Sequence, residues 1–295
     1  MIINFEAVLP IIPERDSKIG GKEKNRKVIG VRVLQMKAIE KELKKIEKVE
    51  ARLHRNGEKK TEPVWKTKIE EKIPEKVMNT LQKAFSGAFY LIFEKGSVII
   101  EKTYQREEIE KEFLIRDYAI GLKGGKKEIR NIRKDAASGN IVSTLITTVE
   151  GIGLGALGIG LPDIVFWVSI LLRGVYETAL KYGFAYETPE ERMFILTMLE
   201  AAMSNGKAWT EANEQVDAYI QEDVHMIPSN EELKKQIEQT ANAFATDMLV
   251  TKFIQGLPVV GIIGGATNPV YYNKVMSYVE LKYRKRYLLG KQKRI

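Results

Sequence analysis

Four polar residues border or interrupt the apolar stretches of this 295-residue chain: Asp163, Arg173, Lys252 and Asn268. Isolated charge in apolar surroundings is costly, so such residues are normally paired or placed beside an aqueous cavity. One interpretation is a structural ion pair between Asp163 and either Arg173 or Lys252. The other is contact with a lipid headgroup or a partner at the rim of an apolar groove. All four are therefore candidates for ligand or membrane contact.

A second candidate is a run of basic residues at the C-terminus, where no acidic residue follows Glu280. Cations grouped in this way are typical of a segment that meets an anionic surface, although a merely solvated segment has the same composition. The sequence predicts a one-sign basic tail that contacts an acidic membrane, with Arg284, Lys285 and Arg286 as the central candidates. The whole cluster comprises Lys282, Arg284, Lys285, Arg286, Lys291, Lys293 and Arg294.

The chain offers no recognisable catalytic or metal-binding constellation. It has no cysteine, which excludes disulfides, thiolate metal sites and a thiol nucleophile. Its two histidines, His54 and His225, lie far apart in polar surroundings without a motif around either. We therefore predict no metal and no cofactor, and favour a non-enzymatic role.

The glycines could suggest nucleotide binding, but their context argues against it. Gly153, Gly155 and Gly158 match the dinucleotide fingerprint, which requires a preceding strand that this chain does not offer. Small residues four apart, as in Gly151–Gly155 and Gly261–Gly265, instead favour close helix packing. The segment 121–127 lacks the spacing of a phosphate-binding loop and is interpreted as a basic turn. Nucleic-acid binding is also disfavoured, because Lys and Arg are interleaved with Glu.

The apolar patterns of the sequence around these candidate residues indicate helices. Residues 141–181 predict a helical hairpin that turns at Gly160–Asp163, with Pro162 opening its second helix. Each arm is short for a membrane span, so we predict a buried apolar hairpin. A second apolar, glycine-rich helical pair straddles Gly256–Pro258, and helix starts are indicated at Thr188 and Ser229. The fold class predicted is an all-α multi-helix bundle.

Composition divides the chain near residue 70. Before it lies a charged accessory region, residues 1–70, with one amphipathic helix whose apolar stripe is Ile39, Leu43, Ile46, Val49 and Leu53. Denser apolar patterning starts near Pro74, so residues 71–295 are expected to fold as a separate domain. The N-terminus lacks the pattern of a secretory signal, which predicts a cytoplasmic location. The net charge of +8 favours an anionic partner.

Several stretches, taken in order, resemble the EcsC protein family from roughly residue 74 to 290. They include 92–96 with 102–104, the glycine run into Leu161-Pro162-Asp163, and Leu172-Arg173. Further matches are Tyr182-Gly183, Thr188 to Arg192, Lys252, Pro258 to Asn268, and Tyr283-Arg284 with Arg286. The family is named after a protein encoded with an ABC transporter. The resemblance implies a helical protein linked to bacterial membrane or secretion processes, and it carries over no catalytic residue.

Three functional hypotheses follow. The leading one is a membrane-associated or lipid-binding accessory protein, peripheral to the inner face of the cell membrane, with an anionic lipid surface or a membrane transporter as its partner. The second is a soluble helical module that binds another protein. The third is an enzyme that acts on a hydrophobic substrate.

Overall fold

The structure, a computed structural model, describes residues 20–59, 73–93, 100–137, 162–222, 226–254 and 269–295. Within these ranges the chain forms nine helices and no strand, which confirms the predicted all-α class. In chain order the helices are α1 (Gly20–Lys59), α2 (Glu75–Leu91), α3 (Arg106–Lys123), α4 (Lys126–Ala137), α5 (Pro162–Lys181), α6 (Pro189–Met203), α7 (Gly206–Gln221), α8 (Asn230–Ile254) and α9 (Pro269–Arg294).

Helices α5 and α6 form the centre of the bundle. Helix α5 packs against α2, α3 and α9, while α6 packs against α7, α8 and α9. Almost every side chain of residues 164–180 is buried. Four aromatic rings from three helices, Phe85, Phe89, Trp167 and Phe244, pack together with centroids 5.4 to 6.2 Å apart. Burial of such large rings is a main source of the stability of a core.

Helix α1 carries the predicted apolar stripe and packs against α3, α4, α7 and α9. Ile39 and Ile46 are buried, with exposed fractions of 0% and 1%, whereas Val49 lies at the edge of the stripe and is exposed. The buried residues of α1 belong to the same continuous core as those of the later helices. The core therefore extends across the division predicted at residue 70.

The predicted helix starts agree with the observed hydrogen bonds. The Thr188 hydroxyl accepts the backbone N–H of Glu191 at 3.2 Å. At α8, the Ser229 hydroxyl accepts the N–H of Glu232, whose carboxylate accepts the N–H of Ser229 at 2.8 Å. Helix α5 begins at Pro162, as the hairpin prediction requires. The first arm of that hairpin, the glycines at 151–160 and those at 256–265 lie outside the described residues.

Two glycines with positive φ hold neighbouring elements close together. Gly124 ends α3 with a φ of 59°, and a Cβ atom there would lie 2.6 Å from the carbonyl oxygen of Val31 in α1. Gly183 follows α5 with a φ of 80°, and the Phe113 ring of α3 occupies the place where its Cβ would be. Left-handed backbone and missing side-chain volume are both needed at these positions.

Candidate functional site

The basic C-terminal cluster lies in helix α9, and most of its charges are paired inside the molecule. The side chain of Lys282 is fully buried, and its Nζ donates to Glu50 Oε1 at 2.8 Å and to Asp217 Oδ1 at 2.7 Å. Lys285 donates to the same two carboxylates at 2.8 and 2.9 Å. The prediction of a one-sign tail is therefore wrong, because α1 and α7 supply the acids that the C-terminal sequence lacks.

Arg286 is also part of the interior. Its guanidinium donates to both carboxylate oxygens of Glu191, at 3.0 and 2.7 Å, and the Tyr283 hydroxyl donates to the same carboxylate at 2.7 Å. Burial disfavours the charged guanidinium, but the Glu191 carboxylate outweighs this effect and raises the pKa of Arg286. The guanidinium also lies over three aromatic rings, with centroid distances of 4.1 to 5.1 Å: Phe184, Phe194 and Tyr219.

The last turns of α9 complete this pattern. Lys291 donates to the Asp117 carboxylate of α3 at 2.7 Å. Arg284 is half-buried, and its Nε has no hydrogen-bond partner within the described ranges. Lys293 and Arg294 are exposed. Of the three central candidates, Lys285 and Arg286 are thus engaged in ion pairs within the fold, and the exposed cations of the C-terminal cluster are Lys293 and Arg294.

Among the four polar residues in apolar surroundings, Arg173 is the one whose side chain the structure describes. It is 7% exposed, and its Nε donates to Glu177 Oε1 at 2.8 Å, one turn further along α5. Glu177 was not among the predicted partners, although its i+4 spacing is the usual signal for such a pair. The side chains of Asp163 and Lys252, and all of Asn268, lie outside the described residues.

A tyrosine network that the sequence did not indicate joins the segment before α3 to the segment after α5. The Tyr104 hydroxyl donates to that of Tyr186 at 2.6 Å, which in turn donates to Glu101 at 2.8 Å. The Tyr186 ring stacks on Tyr176 with centroids 4.1 Å apart. Burial is the largest cause that raises the pKa of both Tyr104 and Tyr186 well above the usual range, and the nearby Glu101 carboxylate adds to it. Such hydroxyls stay protonated, so we assign this network to structure.

The most distinctive exposed surface begins on α3. Leu114, Tyr118 and Leu122 follow one another at four-residue steps, so they form one stripe with Ile115 beside it. Their exposed fractions are 43%, 62%, 56% and, for Ile115, 69%. Phe113 and Ile120 of the same helix pack towards the core. Helix α3 is thus apolar on a second side, which the core does not use and which the sequence interpretation missed.

Four cations follow this stripe directly: Lys123, Lys126, Lys127 and Arg130, all exposed. We call the stripe Leu114, Ile115, Tyr118 and Leu122, together with these cations, the apolar–basic face. Residues 113–130 contain five basic and two acidic side chains. Of the two acids, Asp117 is engaged by Lys291, and Glu128 folds back over Gly125 at the start of α4. Positive charge therefore dominates beside the stripe.

Further apolar side chains are exposed on the adjoining part of α1, the helix that meets Gly124. They are Val28, Ile29, Val33 and Leu34. Arg32 and Lys37 are also exposed there, and no acidic residue occurs from 28 to 39. The neighbouring surface of α1 is thus also apolar and basic. Large exposed apolar patches with a polar rim mark sites of interaction with proteins or membranes.

The described part of the chain contains no helix that is both long enough and apolar enough to cross a bilayer. Nor do its histidine, aspartate and glutamate side chains form a group that could hold a metal ion.

Comparison with known proteins adds a family match. The model of the EcsC protein family matches residues 35–288, which is most of the chain. The match begins inside α1, well before the start near residue 74 that the resemblance indicated. No curated protein and no solved structure matches the chain.

Proposed function

The chain belongs to the EcsC protein family, and we propose that it is a non-enzymatic accessory protein that binds an anionic membrane surface through the apolar–basic face. The observation that carries this proposal is the exposed apolar stripe of α3 followed at once by four exposed cations. Segments that bind in the plane of a membrane interface combine the same two features. The apolar side chains enter the boundary of the acyl chains, while the cations remain among the headgroups.

The two parts of the face contribute differently to binding. Complete burial of a Leu or Ile side chain contributes about 1.5–3 kcal/mol, so four partly exposed residues supply most of the affinity. Each cation near an anionic surface adds about 1 kcal/mol, and salt screens this contribution over about 10 Å. We therefore expect the stripe to set the strength of binding. The cations set its dependence on lipid charge.

The cytoplasmic leaflet is the expected partner, because anionic lipids give it a negative surface potential. Peripheral binding at that leaflet would place the protein beside a membrane transport or secretion system, as the family resemblance implies. This placement and the link to transport are part of the proposal.

A soluble protein-interaction module is the second candidate function. Residues at four-residue steps, such as Leu114, Tyr118 and Leu122, also form the kind of surface that receives an amphipathic helix of a partner protein. The two candidates differ in their requirement for lipid. For the third hypothesis, an enzyme, the described side chains offer no supporting arrangement, since the buried tyrosines are held protonated.

Vesicle flotation tests the proposal directly. The full chain should float with vesicles that contain phosphatidylglycerol and much less with pure phosphatidylcholine vesicles. Replacing the four cations of the face with Gln should reduce recovery on the anionic vesicles and abolish its dependence on salt. Replacing Ile115, Tyr118 and Leu122 with Asn should reduce recovery at every salt concentration.

A matched control changes the same number of exposed cations elsewhere: Lys76 and Lys83 of α2 with Lys234 and Lys235 of α8. This variant has the same net charge as the face variant, so its recovery should remain near that of the unmodified protein. Equal recovery of the two charge variants would contradict binding through the face. Equal recovery of the unmodified protein on neutral and anionic vesicles would contradict the electrostatic part of the proposal.

A further inference from the structure

Two buried hydrogen-bond donors at one turn of α5 have no acceptor in the described part of the chain. They are Nη1 of Arg173 and the hydroxyl of Tyr272 in α9. Both side chains are more than nine-tenths buried, with exposed fractions of 7% and 9%. A buried donor without an acceptor costs about 1–3 kcal/mol, so proteins contain few of them. Two such donors in one place need an explanation.

The contacts and charges place these donors near each other, because the positive charge of Arg173 acts on the Tyr272 hydroxyl. The Tyr272 hydroxyl occupies the place where a side chain at Gly174 would begin, directly after Arg173 in the chain. Glu177 links the two donors, because it accepts from Arg173 Nε and its negative charge acts on Tyr272. Met276 lies on the other side of Gly174, with its sulfur 3.2 Å from the Cβ position. The surroundings are otherwise part of the apolar core.

The charges of this cluster define the ligand it suits. Glu177 already balances the positive charge of Arg173 at 2.8 Å. Burial, followed by the Glu177 carboxylate, raises the pKa of Tyr272 above the usual range, so its hydroxyl remains a donor. An anion bound here would bring an unbalanced charge into the core, which is strongly unfavourable. A neutral oxygen acceptor would satisfy both donors without that cost.

We propose that Arg173 and Tyr272 bind the neutral carbonyl oxygen of an apolar ligand, of the kind that an acyl ester of glycerol carries. The two donors hold the carbonyl oxygen, and the apolar surroundings suit the acyl chain. Sequence reasoning selected Arg173 as a ligand candidate, whereas Tyr272 gave no signal because its partner helix lies almost one hundred residues earlier. The site shares no residue with the apolar–basic face, so it does not depend on the proposed membrane binding.

Calorimetric titration of the full chain with dioctanoylglycerol tests the site. Its dialkyl ether analogue is the matched ligand, because it keeps the chains and lacks the carbonyl oxygens. We expect the ester to bind more tightly than the ether. Tyr272→Phe and Arg173→Lys should each weaken binding of the ester by about 2- to 10-fold, as the loss of one hydrogen bond requires, and leave binding of the ether unchanged.

Thermal unfolding of the free protein supplies a second, independent measurement. If the Tyr272 hydroxyl has no acceptor, Tyr272→Phe should leave the unfolding midpoint unchanged or raise it. Tyr283→Phe is the control, because it removes the hydrogen bond to Glu191 and should lower the midpoint. The proposal is overturned by equal affinity for ester and ether, by the absence of ester binding, or by a Tyr272→Phe midpoint as low as that of the control.

Discussion

The positive charge of Lys282 has to be balanced within the protein, because its side chain has no contact with solvent. Two carboxylates balance this charge, Glu50 from α1 and Asp217 from α7. Burial alone would raise the pKa of Asp217, but the neighbouring Lys282 and Lys285 outweigh it, so this pKa lies below its ordinary value of 3.8. The ion cluster therefore makes the stability of the fold dependent on pH.

We expect part of the stability to be lost in acid through Asp217. Because its pKa is lower in the folded state, the unfolded chain binds a proton first as the pH falls below 3.8. Its contribution is fully present above that value and disappears as the pH falls through the folded pKa. Asp217→Asn should lower the free energy of unfolding at pH 7 by about 1.5–3 kcal/mol and flatten the stability profile below pH 4. Urea titrations from pH 2.5 to 7 measure both effects.

Glu238→Gln is the matched control, since it also removes one carboxylate, at an exposed position of α8. It should change the free energy of unfolding by less than about 0.5 kcal/mol and leave the acid profile intact. A profile for Asp217→Asn that parallels the unmodified protein below pH 4 would show that Asp217 does not carry this pH dependence.

At the level of the helices, two glycines give opposite expectations. Gly183→Ala forces a side chain into left-handed backbone and against the Phe113 ring, so it should destabilise the fold by about 2–4 kcal/mol. Gly121 lies within α3 with nothing within 4 Å of its Cβ position. Gly121→Ala should therefore stabilise the fold by about 0.5–1 kcal/mol. Chemical denaturation of the two variants measures both effects. A change of the same sign in their free energies of unfolding would contradict the roles given to Gly183 and Gly121.

Helix boundaries followed from local signals, and this explains which parts of the architecture could be predicted. Thr188, Ser229 and Pro162 act within one turn of themselves, so the sequence suffices to place the starts of three helices. The acids that pair with α9 could not be identified in this way. Glu50 lies 232 positions before Lys282, and no spacing rule connects residues so far apart.

The candidate sites show the same limit. Arg173 could be selected because a charge in an apolar run is conspicuous in the sequence, while Tyr272 could not, because a buried hydroxyl is unremarkable until its neighbours are known. The exposed stripe of α3 was missed for a different reason. Apolar residues on two sides of a helix are indistinguishable in sequence from those of one wide buried side, so exposure has to be seen.

In the molecule as a whole, α1 contributes to the same hydrophobic core as the later helices, although the sequence placed it in an accessory region. Removing residues 1–70 takes away Ile39 and Ile46 from the core and Glu50 from the buried Lys282. Contrary to the expectation from composition, we expect residues 71–295 to be strongly destabilised and to bind a hydrophobic dye. A chain of residues 35–295, which keeps the region matched by the family, should unfold at nearly the temperature of the full chain.

Circular dichroism and dye fluorescence of the two truncated chains provide the measurement. Cooperative unfolding of the 71–295 fragment at the temperature of the full chain would support the predicted boundary near residue 70. Loss of structure in the 35–295 chain as well would show that the first turns of α1, including the contact of Val31 with Gly124, are indispensable.

The pairing of α9 with acids throughout the chain also governs when the protein can finish folding. A ribosome that adds about 5–20 residues per second needs roughly 10 to 50 s to pass from Glu50 to Lys282. During that interval Glu50, Asp117, Glu191 and Asp217 have emerged, and the cations of α9 have not yet been made. The nascent chain is therefore more acidic than the finished protein and has an open core. Folding can be completed only after α9 has been synthesised, so a chain that stops before Pro269 is a natural substrate for chaperones and proteases.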